Sequence, residues 1–202
     1  MKKRKRKRAS TPAIYHHGDL RNALLDAARN ALEKKGLEGV SLRAVAREAG
    51  VSHSAPYRHF PNHDALLVEL AVEGFEELRR AISAVAAGSE PRLVDRITGI
   101  GAAYMRFVAQ KPELMRLMFS SRLPPLDANP NLRNAADALG TEIGIAVEDP
   151  ILGLAVWASA HGLAMLVLKD VADLGQRRSG NTVLPSRAEV LLRSLFTVRP
   201  DP

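Results

Sequence analysis

The sequence predicts an all-α protein. Three observations carry this. Apolar residues recur at i, i+3, i+4 and i+7 along several stretches. There is no sustained period-two alternation and no Asn-Gly or Asp-Gly hairpin turn. Gly and Pro fall where they stop and start helices. The 202 residues are 46% apolar and 25% charged. That is the profile of a soluble globular chain and excludes a wholly disordered one or a disulfide-stapled miniprotein. The absence of cysteine removes disulfides, thiolate nucleophiles and Cys-based metal sites, and it fits a reducing cytosol.

About nine helices are expected. The first carries Leu20, Ala23, Leu24, Ala27, Ala28, Ala31 and Leu32 on one face, with Asp19 as its cap and Gly36 as its stop. The second runs from Leu42 to Ala49 with Ser41 as N-cap, and Gly50 breaks it. Val51 plugs the turn, and Ser52 caps a short third helix ending near Phe60. The fourth starts at His63 or Asp64 and reaches Ala86, with Leu66, Leu67, Leu70, Phe75, Leu78 and Ile82 as its stripe. Pro91 opens a helix to about Ala109, and Pro112 opens a shorter one through Phe119. Leu123 to Pro130 is a proline-broken loop. Asn131 to Val147 is helical although Gly140 and Gly144 weaken it. Pro150 opens an apolar helix to Lys169, Asp170 to Leu184 is a loop, and Pro185 opens a last helix ending near Phe196.

The net charge of +7 is concentrated at one end. Lys2, Lys3, Arg4, Lys5, Arg6, Lys7 and Arg8 carry seven charges, and the remainder balances at 22 basic against 22 acidic residues. Residues 1–13 are expected to form a disordered basic tail, because like charges repel. No apolar segment follows it, so it does not read as a secretory signal. The tail suits contact with nucleic-acid phosphates, a localisation signal or a solubilising extension. Ile151 to Leu168 has no formal charge and spans 18 residues, the lower limit for a bilayer. Its Ser159, His161 and two glycines, flanked by Asp149 and Asp170, instead suit a core or subunit-interface helix, with no membrane partner.

The most informative stretch runs from Ser41 to Phe60: helix, glycine turn, helix. Two short helices joined through Gly at a steep angle form a helix-turn-helix, whose second helix fits the major groove of DNA. Small Ala46 sits where the helices cross. Arg43 starts the first helix of the pair, and Ser52, His53 and Ser54 start the second. These can bond phosphates or base edges, while Tyr57, Arg58, His59 and His63 add donors at the far end.

Ser41, Val45, Ala46, Ala49, Gly50, Val51, Ser52, Tyr57, His59, Phe60 and Leu66 together resemble the DNA-binding domain of TetR-family transcriptional regulators, over about residues 15–70. Trp157, His161 and Gly162, with the lead-in Tyr15 to Arg21, resemble the subgroup with a C-terminal Trp-x-x-x-His-Gly signature. The resemblance implies a homodimer. Residues 14–63 would bind double-stranded DNA, and 64–202 would hold an effector pocket and the dimer interface. Tyr57 and His59 would mainly contact phosphates, and Ser52, His53 and Ser54 would help to read bases. Two departures stand out: Pro56 where the family has Leu, and His63 where it has a phosphate-binding Lys. Pro56 removes a helical hydrogen bond and should tighten or distort the third helix. His63 should weaken the phosphate grip or make it pH-dependent.

Other constellations are weaker. His16 and His17 lack metal-ligand spacing, so no metal is expected. Met105, Met115, Phe119, Trp157, His161 and Met165 admit two readings, plain core or an adaptable effector pocket. Ile151–Leu168 and Ala188–Phe196, with Leu191, Leu192, Leu195 and Phe196 as an apolar face, suit a dimer interface built as a four-helix bundle. No catalytic constellation or phosphate loop is present, so neither an enzyme nor a cofactor is expected. The expected function is a cytoplasmic repressor released from a palindromic operator by a small molecule. The alternative is a sequence-independent, nucleoid-type DNA binder dominated by its tail.

Overall fold

The computed structural model describes residues 17–88, 92–169, 190–191 and 193–196, and the side chains of these from residue 20 onward. Among them there are no strands. Seven α-helices occur: α1 (His17–Lys35), α2 (Leu42–Glu48), α3 (His63–Ala86), α4 (Leu93–Gln110), α5 (Pro112–Met118), α6 (Pro130–Val147) and α7 (Pro150–Leu168). Residues 190–191 and 193–196 are also helical. The expectations for the basic tail, for the lead-in through His16 and for the loop after Asp170 lie outside the described residues.

Local chemistry accounts for most boundaries. Gly36 ends α1 at φ 67°, ψ −172°, a conformation open to glycine, and its N–H still reaches the Leu32 carbonyl at 2.7 Å. Asp19 is not the cap of α1, because the helix begins two residues before it. Ser41 Oγ accepts the Ala44 N–H and caps α2. At the other end Gly50 adopts φ 69°, and the Gly50 and Val51 N–H groups bond the Arg47 and Ala46 carbonyls. This paired return satisfies two terminal carbonyls and turns the chain sharply. Asn62, Asn129 and Asp149 cap α3, α6 and α7 through their side-chain oxygens. The helix expected from Pro91 starts at Leu93, with Arg92 at its N-cap.

The third helix expected over Ser52–Phe60 does not form as an α-helix. The segment is a series of turns with a 3₁₀ turn at Pro56–Arg58. Pro56 has no N–H to give Ser52, so the chain closes instead through Ala55 N–H to Ser52 and Arg58 N–H to Ala55. Pro56 itself is buried.

α3 is the central element and packs against α6, α4, α5 and α1. One continuous apolar core joins the α1–α2 unit to the rest, through Leu24, Leu32, Val45 and Phe60 on one side and Leu66, Leu70 and Phe75 on the other. Two ion pairs bind α1 to α3, Arg21–Glu69 and Arg29–Glu73. Glu33 of α1 accepts the Leu114 N–H at the start of α5 at 3.1 Å. Burial pushes its carboxyl above the ordinary carboxylate range, and the backbone bonds from Leu114 and Glu113 oppose that shift.

α6 and α7 approach unusually closely. A Cβ added at Gly153 would lie 2.6 Å from Gly144 Cα. The glycines of α6 are therefore contact points: Gly144 meets Gly153 and Gly140 meets the Trp157 ring. α7 is long and apolar enough to cross a membrane by composition. Yet Val156, Ala160, Ala164 and Val167 pack inside, while Ile151 and Leu154 on the other side are 82% and 62% exposed.

Candidate nucleic-acid interface and effector cleft

Two regions gather functional side chains. The first is the outer side of α2 and of the turns over residues 52–60 that follow it. Arg43, Ser52, His53, Ser54, Tyr57 and Arg58 are all exposed, and His59 is half-buried beside Phe60. Ser52 and Ser54 hydroxyls lie 3.2 Å apart. Arg43 and Tyr57 line one shallow depression of about 470 Å³ together with Ser41, Asn62 and His63. Tyr57 is 53% exposed. A phenol at that level of exposure fills no core and keeps its hydroxyl open to solvent. The geometry arises because Gly50 turns the chain while Val51, Pro56 and Phe60 anchor the segment against α1 and α3. The Arg21 guanidinium caps Phe60 from 5.7 Å.

His63 differs from a free phosphate ligand. Its Nε2–H donates to the Val40 carbonyl at 3.0 Å, and Nδ1 stands 3.8 Å from Asp64. With Nε2 committed, the neutral ring has no second proton to offer, so only the imidazolium can donate to a phosphate. The ring mainly ties the start of α3 to the strand-like residue before α2.

The second region is a cleft of about 620 Å³ between α3, the end of α5, α6 and α7. Phe75 comes from α3, Met118 and Phe119 from the end of α5, Leu132 and Ala136 from α6 and Trp157 from α7. Ser120, Ser121 and Leu123–Leu126 complete the lining. A cleft of this size and polarity suits a small organic molecule. Of the six side chains expected here, Phe119 and Trp157 line it. Met105 and Met115 are wholly buried core residues, and Met165 packs half-buried against the core. Phe75, Ser120, Ser121, Leu132 and Ala136 were not legible as cleft residues, because their convergence is tertiary.

His161 stands behind the cleft wall, its ring 4.1 Å from Phe119. The Tyr104 hydroxyl donates to His161 Nδ1 at 3.0 Å. Burial lowers the pKa of His161 and raises that of Tyr104 well above its ordinary value. Both shifts favour the neutral pair, protonated phenol and neutral imidazole, that this hydrogen bond requires. The buried Trp157 Nε1 has no hydrogen-bond partner, although its N–H is near enough to Tyr104 to oppose that shift in part. Trp157 and His161 thus converge on Tyr104 from successive turns of α7. Among the described residues no His, Asp or Glu cluster could hold a metal ion.

α1, α2 and the turns over residues 52–60 thus precede a larger set of helices with its own cleft. Residues 24–70 match bacterial regulatory proteins of the tetR family. The nicotine-responsive transcriptional repressor HdnoR of Paenarthrobacter nicotinovorans is 40% identical over 72 residues, 36% of this chain and 37% of that protein. A solved protein of unknown function from Rhodococcus sp. RHA1 is 32% identical with a TM-score of 0.72, covering 90% of this chain and 98% of its own. FadR from Bacillus subtilis, solved with stearoyl-CoA, shares the fold at TM-score 0.66 and 14% identity, covering 87% and 99%. Over residues 24–70 the chain is of the tetR family of bacterial regulatory proteins. Its matches span about a third to half the length of the curated relatives.

Proposed function

We propose that the protein is a dimeric, sequence-specific DNA-binding repressor in the cytoplasm, released from a palindromic operator when a small molecule occupies its cleft. The carrying observation is the exposed side of residues 41–58. There Arg43 and Tyr57 line one depression, and Ser52, His53 and Ser54 are exposed in the same segment, which matches the family. Residues 14–63 would engage DNA, and 64–202 would bind the effector and the second subunit. The basic tail, Lys2 to Arg8, would add phosphate contacts.

The dimer reading is supported by the exposed apolar side of α7, Ile151 and Leu154, and by Val190, Leu191 and Leu195. Phe196, also expected there, packs against the core instead. A two-fold dimer would set two reading units about 34–36 Å apart, one helical turn of DNA. An effector favouring a dimer with another spacing would release the operator by shifting populations. Assignment to the Trp-x-x-x-His-Gly subgroup rests on Trp157, His161 and Gly162, whose first two members frame Tyr104.

The test is selection from randomised duplexes at physiological salt, with the full chain and with a version lacking residues 2–8. The proposal expects one palindrome enriched by both. Retention without enrichment, lost with the tail, would establish the sequence-independent binder instead.

A further inference from the structure

We infer that the cleft takes an uncharged, largely aromatic small molecule carrying one hydroxyl or carbonyl group, and that it rejects carboxylate, phosphate and ammonium forms of the same skeleton. The inference rests on the functional reading above only in treating this cleft as the effector site. Among the described residues, every lining side chain is apolar or a serine. An ion placed there would lose its hydration without meeting an opposite charge. The ion pair nearest in sequence, Asp127 with Arg133, is closed on itself. His161 adds no cation behind the wall, because it accepts a hydrogen bond from the Tyr104 hydroxyl as a neutral ring, which burial favours.

The aromatic preference comes from the wall itself. Phe119 meets Phe75 edge-on, at 5.4 Å and 69°, and tilts over His161 at 4.1 Å. Trp157 lines the cleft from α7. Rings so arranged offer both faces and edges to a further ring. The polar anchor is Ser120. Its Oγ accepts the Arg122 N–H at 3.1 Å, which leaves the hydroxyl proton free for an oxygen on the ligand.

The chain has a single tryptophan; it lines this cleft and also an adjoining cavity of about 650 Å³ that holds Asp137, Glu148 and Asp149, so its emission reports a bound ligand and loss of the signal in Ala136→Phe, at a residue of this cleft alone, assigns it here. The probes are para-biphenylmethanol, para-biphenylcarboxylate and para-biphenylmethylammonium, titrated against the full-length protein. The alcohol should perturb the emission saturably and bind about ten-fold or more tighter than either ion. Ala136→Phe should abolish that binding in a protein whose circular dichroism is unchanged. Should Ala136→Phe fail to fold, Ser120→Ala serves: it should weaken the alcohol and leave unsubstituted biphenyl unaffected. Equal or tighter binding of an ionic probe, or no binding of any probe, overturns the inference. DNA retention is measured in parallel. An alcohol that binds without releasing DNA sustains the ligand class and overturns the repressor reading. Release by an ionic probe alone overturns the ligand class and sustains the repressor reading.

Discussion

Replacing Gly153 with alanine should force α6 and α7 apart. The new Cβ would sit 2.6 Å from Gly144 Cα and 2.8 Å from Gly144 N, where ordinary contact begins at 3.4 Å. The shortfall is about 0.8 Å, and the obstructing atoms are backbone, so no side-chain rotation relieves it. One helix must lift off the other along a seam that also positions Trp157 and His161. Overpacking of a core costs about 1–3 kcal/mol, and a backbone clash belongs at the upper end. Alanine returns about 1 kcal/mol through helix propensity. The net loss is about 2 kcal/mol, or a fall of about 4–8 °C in Tm for a chain of this length. Thermal unfolding at fixed protein concentration measures it. Gly162→Ala is the internal control on the same helix. A Cβ there meets nothing within 4 Å, so the protomer should gain up to about 1 kcal/mol. A Gly153→Ala protein that melts with the parent would refute the argument that the two backbones are in contact.

His161 predicts a pH dependence. Its folded pKa lies below the ordinary value of 6.5, so the unfolded chain takes the proton first as pH falls. Its contribution is therefore intact above about pH 6.5 and declines as pH drops through the folded pKa. Urea midpoints across this window should fall more for the parent than for His161→Gln, and parallel curves would remove His161 as the cause. Ser41→Ala should cost about 1 kcal/mol in chemical unfolding by leaving the Ala44 N–H uncapped. Arg43→Ala and Tyr57→Ala should weaken binding to every duplex and lessen its salt dependence for Arg43, whereas changes at Ser52 to Ser54 should alter the preferred sequence. Equal effects of the two classes in a binding titration would refute that division of roles. Leu154→Glu should leave each protomer folded but convert dimer to monomer in sedimentation, because it places a charge on an exposed apolar side.

Much of this was legible along the chain because the governing interactions are local. Helix periodicity, the Ser41 cap, the Gly36 and Gly50 stops and the helices expected from Pro91, Pro112 and Pro150 concern residues a few positions apart, and each is found where expected or within two residues. The effect of Pro56 was legible in kind, since a missing N–H is a property of the residue itself. Its extent was not. Whether a weakened helix survives depends on what packs around it, and here Pro56 is buried in a turn.

The sequence alone determined the helical class, the DNA-reading segment and the separate apolar helix that begins at Pro150. The tertiary structure decided which side chains share a space. Met105 and Met115 have the chemistry of a pocket but sit in the core, while Ser120, Leu132 and Ala136 have no distinguishing pattern yet line the cleft. It also decided that Gly144 and Gly153 are a contact rather than a weakness, and that His63 is committed to Val40. Periodicity says which face of a helix is apolar. Only the packing of several helices against one another says whether that face meets a neighbour, a cleft or open water.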